Sequence, residues 1–190
     1  MTKVYFIRHA QADNANQDYS DRPLTEKGMA DRRLVTDFLK DKNIQVMFSS
    51  PYKRAIDTIA EFAGIHGFDI EIAKEFKERE IGRLEGVDTR SIVKRQWEDF
   101  SLVLPEGESL GAAQKRNVDA LKAILARQKD KNIVIGTHST ILSTIINYYD
   151  SSWGFDDFMA MVHIAPWVVM MEFDGINCLN IDKIDLFDGV

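Results

Sequence analysis

Cys178 is the only cysteine in this 190-residue chain, which excludes an intrachain disulfide framework and a cysteine-rich zinc site. No arginine follows it at six residues, so a cysteine-phosphatase loop is absent, and no Gly-x-x-x-x-Gly-Lys-Ser/Thr phosphate loop occurs. No paired-carboxylate metal motif stands at a predicted strand end. Basic residues are in the minority: 24 Lys and Arg against 30 Asp and Glu leave a net charge of -6. With no global basic field, neither nucleic acid nor membrane is expected as a partner, and any anion site must be a local cationic pocket. No apolar run approaches bilayer length, and Met1-Thr2-Lys3 leads straight into a strand without a leader segment and cleavage site. A cytoplasmic location is therefore expected. Repeats, low-complexity tracts and linkers are missing too, and nothing in the composition signals an oligomeric state. What is present, 45% hydrophobic and 28% charged residues, fits one domain over residues 1–190.

Strand-like and helix-like segments alternate from end to end, the pattern of an α/β fold. It predicts three layers, α/β/α, with a central mainly parallel sheet and an antiparallel edge hairpin near the C-terminus. Lys3 to Ile7 reads as a strand, followed by a polar loop over 11–23. Thr25 is placed to cap a helix that turns Ala30, Leu34, Phe38 and Leu39 inward. Val46 to Phe48 reads as a short buried strand, and Ser50-Pro51 as an N-cap with proline at the first helical position. That helix carries Ile56, Ile59, Ala60 and Ala63. Ile70 to Ala73 is a third strand, Glu75 to Gly86 a loop, and Asp88 to Leu104 a helix with its connection. Ser109 caps a long amphipathic helix to about Lys129, with Leu121, Ile124 and Leu125 inward. Asn132 to Gly136 is the second strong strand, with a helix from about Thr140 after it. Trp167 to Phe173 and Ile176 to Ile181 form a hairpin with a type I′ signal at Asp174-Gly175.

Two of these strands end in histidine: Val4-Tyr5-Phe6-Ile7 stops on Arg8-His9, and Ile133-Val134-Ile135-Gly136 stops on Thr137-His138. A buried strand that ends this way delivers a fixed cation and a titratable nucleophile to the sheet edge where α/β proteins bind ligands. That is a phosphate site in outline.

Five motifs follow in a fixed order: Arg8-His9-Ala10, Ser49-Ser50-Pro51-Tyr52-Lys53-Arg54-Ala55, Glu78 to Gly86, Pro105 to Ser109, and His138. In these the chain resembles the histidine phosphatase superfamily, also called phosphoglycerate-mutase-like, over nearly its full length. The resemblance implies a phosphatase-type enzyme that hydrolyses phosphomonoesters of small phosphorylated metabolites through a phosphohistidine, with no cofactor and no metal. It makes His9 the nucleophile, Glu78 the general acid and then base, and His138 a donor to the phosphoryl oxygens. Arg8 and Arg54 would bind phosphate, since planar guanidinium forks suit bidentate contact and stay charged. Lys53 is an equal cation by composition, but only Arg54 falls on the motif.

His9 must be neutral on its attacking nitrogen, so the other nitrogen is expected to donate to a backbone carbonyl, with the arginine pair lowering its pKa. Glu75, Glu80 and Glu85 rival Glu78, which is preferred because Gly82 stands four positions on, as the Glu-x-x-x-Gly element of the family requires. Ala10 and Ser139 depart from the family, which commonly has glycine at both positions, and both bring a side chain near the pocket. Asn14 and Asn16 read as solvated loop amides, with phosphate contact by either left open. His66 is expected at the surface, and His163 in the core or behind the site. Trp97, Phe100, Trp153 and Trp167 are core candidates, the first two also candidates for a substrate pocket.

Two other functions compete: a phosphoglycerate mutase, and a phosphoprotein phosphatase or non-catalytic phosphate-recognising protein. Family mutases carry an insertion with tandem arginines where this chain has only the short Gly86 to Pro105 segment with Arg90, Lys94 and Arg95. Hydrolysis is therefore the expected outcome.

Overall fold

The structure is a computed structural model that describes every residue except 17, 85, 87 and 188–190. Strand β1 (Thr2–Arg8) is followed by α1 (Glu26–Leu39), β2 (Val46–Ser49), α2 (Lys53–His66) and β3 (Ile70–Ile72). A 3₁₀ turn at Lys74–Phe76 leads to α3 (Thr89–Glu98), α4 (Leu110–Arg127), β4 (Asn132–Thr137), α5 (Ser139–Tyr149) and α6 (Phe155–Met161). The last two strands are β5 (Trp167–Asp174) and β6 (Asn177–Ile184). All six strands form one sheet in the order β3-β2-β4-β1-β5-β6. β3, β2, β4 and β1 are parallel, whereas β5 is antiparallel to both its neighbours. The mainly parallel sheet with an antiparallel edge hairpin is thus as the sequence predicts.

The layers follow from strand periodicity. Val4 and Phe6 enter an apolar cluster with Leu121 of α4 and Leu142 of α5. Their alternates Tyr5 and Ile7 enter a second cluster with Val35 and Leu39 of α1 and Ile59 and Phe62 of α2. Helices thus cover both faces of the sheet, and each large side chain so buried stabilises the fold by about 1.5–3 kcal/mol. Trp153 and Trp167 stack in the first cluster with centroids 6.0 Å apart. Among the described residues no helix is long and apolar enough to cross a membrane.

Several local expectations need correction. Thr25 does cap α1, its hydroxyl accepting from the Gly28 amide at 3.0 Å. Leu39 is buried and half-buried Phe38 packs against the second cluster as expected, whereas Ala30 is exposed, Leu34 is half-buried, and Gly28 and Val35 complete the buried face. The Thr25 amide donates to the Gln11 carbonyl at 3.0 Å, which ties the helix start to the loop after β1. Ser50 is not the N-cap of α2, which begins at Lys53 after Tyr52; its hydroxyl accepts from the Tyr52 amide at 3.1 Å in the turn before the helix and also meets His138. The hairpin turns at Gly175-Ile176, with Asp174 paired to Asn177. Only Gly175 of the two has positive φ (61°), which fits type II′ rather than type I′. Finally, α6 falls where no element is predicted; the Asp157 carboxylate accepts from the Gly154 amide at 2.9 Å and starts it.

Candidate active site

Parallel pairing of β1 with β4 sets Arg8 opposite Thr137, so the next residues, His9 and His138, leave the sheet side by side. The His9 amide donates to the Thr137 carbonyl at 3.1 Å, extending the ladder by one rung. The two imidazoles lie with centroids 5.2 Å apart, inclined at 64°.

His9 is half-buried, and its Nδ1 lies 2.7 Å from the Ala10 carbonyl oxygen. A carbonyl only accepts, so Nδ1 carries the proton and Nε2 keeps its lone pair. Arg54 Nε donates to that Nε2 at 3.2 Å. Burial pushes the His9 pKa down to about 3, with Arg54 and Arg8 adding to the effect. The neutral form expected from the sequence is present, but burial outweighs the arginine pair as its cause.

His138 is wholly buried, and its Nε2 lies 2.7 Å from Ser50 Oγ. Its Nδ1 is buried too and has no hydrogen-bond partner among the described residues. Burial, then the charges of Arg54 and Arg8, hold its pKa well below the ordinary histidine value.

Arg8 and Arg54 are both buried, at 8% and 2% exposure. Arg8 Nη1 donates to the carbonyls of Met161, at 3.0 Å, and Ile164, just after α6. Its Nε is buried without a hydrogen-bond partner among the described residues. Burial lowers its pKa to about 10, opposed by Glu78, so it remains charged at neutral pH. Arg54 Nη1 donates to the Tyr19 carbonyl at 2.6 Å, and its guanidinium lies over the rings of Tyr19 and Tyr52 at 4.6 and 4.8 Å. Lys53 instead points to solvent and pairs with Asp57 at 2.7 Å.

Glu78 lies beyond the 3₁₀ turn and is 7% exposed. Oε1 accepts from its neighbour Arg79 N at 2.8 Å, and Oε2 from Thr140 N at 3.1 Å and Ser139 Oγ at 3.5 Å. The carboxyl group therefore rests on the first turn of α5. Its segment is fixed by a backbone crossing: Glu108 N donates to Glu80 O at 2.7 Å and Arg83 N to Pro105 O at 3.0 Å. Gly82 makes the crossing possible, with φ of 92° and only 2.8 Å between a built Cβ and the Pro105 oxygen. This contact joins the Glu78–Gly86 and Pro105–Ser109 motifs in space. Of the rival acids, Glu75 and Glu80 are exposed, with Glu80 paired to Lys77 at 3.5 Å, and Glu85 lies outside the described residues.

Glu78 opens on a cavity of about 580 Å³ bordered by Tyr19, Arg79, Val93, Trp97 and Phe158. Trp97 serves both as core and as wall, while Phe100 packs edge-on to it at 5.5 Å without reaching the cavity. Arg90, Lys94 and Arg95 are exposed and do not border it. A second cavity, about 550 Å³, borders Arg8 and His9 and is lined further by Asn14, Lys27 and His163. His163 is thus exposed, against the expectation of a core or backing position, because it follows α6 in the loop that turns toward β5. His66 is exposed at the end of α2, as expected. Ala10 is buried against α2, its amide donating to Thr58 Oγ1 at 2.9 Å.

Four residues near the site escape sequence reasoning. Ser50 looks like a helix cap. Tyr19 and Arg22 belong to the polar loop, where Arg22 lies 4.8 Å from the Tyr19 ring centroid and donates to Asn14 Oδ1 at 3.1 Å and to the Asn16 carbonyl. Asn16 Oδ1 accepts from Asp18 N at 2.8 Å, so both asparagines shape the loop. Arg79 sits in an acidic run, buried and held by Gln96 Oε1 at 2.9 Å and the Glu108 carbonyl at 3.1 Å. Its neighbour Glu78 in the motif is the only signal that could have pointed to it.

Residues 4–174 match the sequence model of the histidine phosphatase superfamily (branch 1). Phosphoserine phosphatase 1 of Hydrogenobacter thermophilus is 27% identical over 153 residues, covering 73% of this chain and 72% of that protein. A probable phosphoglycerate mutase GpmB of Photorhabdus laumondii is 26% identical over 149 residues, 75% and 69% of the two chains. Among solved structures, a mutant phosphoserine phosphatase from Entamoeba histolytica in complex with phosphoserine superposes with a TM-score of 0.81. That match is 20% identical and covers 100% of both chains.

Proposed function

The chain belongs to the histidine phosphatase superfamily, and we propose that it is a cytoplasmic, metal-independent phosphomonoester hydrolase acting on small phosphorylated metabolites through a phosphohistidine, as one domain over residues 1–190. The observation that carries this is the state of His9: Nδ1 is committed to the Ala10 carbonyl at 2.7 Å, so Nε2 is the lone-pair nitrogen, and it faces Arg54.

The phosphoryl group lies between His9 and His138, where Arg8 Nε and His138 Nδ1 are buried donors that no protein acceptor takes up. Arg54 turns its Nε–H from His9 to a phosphoryl oxygen and so releases the lone pair. His9 Nε2 then bonds to phosphorus as the ester P–O bond breaks, and Glu78 gives the departing alkoxide its proton. In the second half Glu78 takes a proton from water, the water oxygen bonds to phosphorus, and the N–P bond breaks to return neutral His9 and phosphate. Charge that spreads over the phosphoryl oxygens meets two guanidiniums fixed in a buried site, the role a divalent cation fills in other phosphoryl transfer enzymes.

Hydrolysis is preferred to mutase transfer because the 86–105 segment gives the Glu78 cavity Val93 and Trp97 but none of its cations Arg90, Lys94 and Arg95. A second phosphate or carboxylate would find no grip from that side. A screen of phosphorylated metabolites in chelator is expected to give phosphate release at the chelator-free rate. A strict need for magnesium or zinc, or isomerisation of phosphoglycerate faster than hydrolysis of any monoester, would overturn the proposal.

A further inference from the structure

We propose that Ser50 is a positioning residue that fixes the tautomer of His138, by donating its hydroxyl proton to Nε2 so that the ring proton resides on Nδ1. The inference rests on the reading of His138 as a phosphoryl donor, and deepens it. Ser50 and His138 are each 0% exposed, and the 2.7 Å Oγ to Nε2 contact is short for a hydrogen bond to nitrogen. Ser50 Oγ already accepts from the Tyr52 amide at 3.1 Å, which places it at the turn between β2 and α2. Its amide donates to the Gly136 carbonyl at 2.8 Å, two residues before His138, so backbone on both sides holds the pair in register.

The hydroxyl has one proton and one remaining lone pair for His138. With Nε2 committed to Ser50, only Nδ1 is left to meet a phosphoryl oxygen, and Nδ1 is the buried atom without a protein partner. If Nε2 carried the proton, Nδ1 would turn a lone pair toward an anion. The donor role therefore requires Ser50 to give its proton rather than receive one. The arrangement mirrors that of His9, where a fixed acceptor dictates the opposite pattern of accessible atoms.

The test is the long-range ¹H–¹⁵N imidazole spectrum of the full-length ¹⁵N-labelled protein at neutral pH, for wild type, Ser50→Ala and Ser50→Thr. His138 is expected as the Nδ1–H tautomer in wild type and Ser50→Thr, and shifted toward Nε2–H or a mixture in Ser50→Ala. Removal of a transition-state donor costs about 10²–10³-fold, and a donor in the wrong tautomer for part of the time costs less, so kcat of Ser50→Ala is expected to fall about 10–100-fold with KM within about twofold. Ser50→Thr, which keeps the hydroxyl, should recover most of it. Wild-type His138 as Nε2–H, or an unchanged tautomer in folded Ser50→Ala, would overturn the inference. Because the spectrum needs no turnover, failure of the hydrolase proposal would show separately, as an inactive wild type with the predicted tautomer.

Discussion

The ends of β1 and β4 present the same residue to the same sheet edge, yet surround it differently. His9 is half-buried, tied through Nδ1 to a carbonyl, and leaves Nε2 to a guanidinium. His138 is fully buried, tied through Nε2 to a hydroxyl, and leaves Nδ1 without a protein partner. The difference teaches that an imidazole's role is set by the partner of its other nitrogen. A carbonyl that can only accept makes the far nitrogen a base, whereas a hydroxyl that can donate makes the far nitrogen an acid. Both rings stay neutral through burial, so neither role depends on a charged histidine.

Exchange of either ring for alanine should break the comparison unequally. His9→Ala removes the attacking atom and is expected to lower kcat by more than about 10⁴-fold, whereas His138→Ala removes one donor and is expected to cost about 10²–10³-fold. Steady-state rates on one aryl phosphate check the order, and equal losses would erase the distinction. Glu78 sharpens it next. Glu78→Gln should slow alkyl phosphates by about 10²-fold but aryl phosphates, whose phenolate needs little protonation, by less than about 10-fold. Equal damage to both leaving-group types would remove Glu78 as the acid.

The smallest effect is on stability. Below the ordinary histidine pKa of about 6.5 the unfolded chain binds protons that the folded protein, with His9 held to about 3 and His138 lowered as well, does not. Stability is therefore lost as pH falls through 6.5 toward the folded values, by at most about 1.4 kcal/mol per pH unit for each ring. Denaturant midpoints at neutral and mildly acidic pH should show that loss, and a shallower one in His9→Ala. A slope indifferent to both histidines would contradict the burial account.

The features legible in the sequence are those written in contiguous residues. Val4 to Ile7 and Ile133 to Gly136 are apolar runs that stop abruptly, so the strands and the two histidines at their ends could be read directly. What stayed hidden depends on partners far away in the chain. Ser50 precedes a proline and looks like a cap, and its hydroxyl does accept from the Tyr52 amide, but its contact with His138 spans 88 residues. Arg79 is one charge among several until Gln96 and Glu108 hold it against the cavity. Gly28 of α1 is buried against the Gln11 backbone, with which a built Cβ would collide, a contact the sequence does not show. The hairpin turn moved one residue because Asp174 pairs with Asn177, which leaves Gly175-Ile176 as the turn.

The central claim is that the two histidines divide the labour, one forming a bond to phosphorus and the other only donating to it. Rapid acid or base quench with phosphorus-labelled substrate, followed by peptide mapping, tests it most directly. The account predicts an acid-labile, base-stable label on the peptide containing His9 in wild type and, more slowly formed, in His138→Ala, with none in His9→Ala. Label on the His138 peptide, or turnover at the wild-type rate with no phosphoenzyme at any time point, would contradict it.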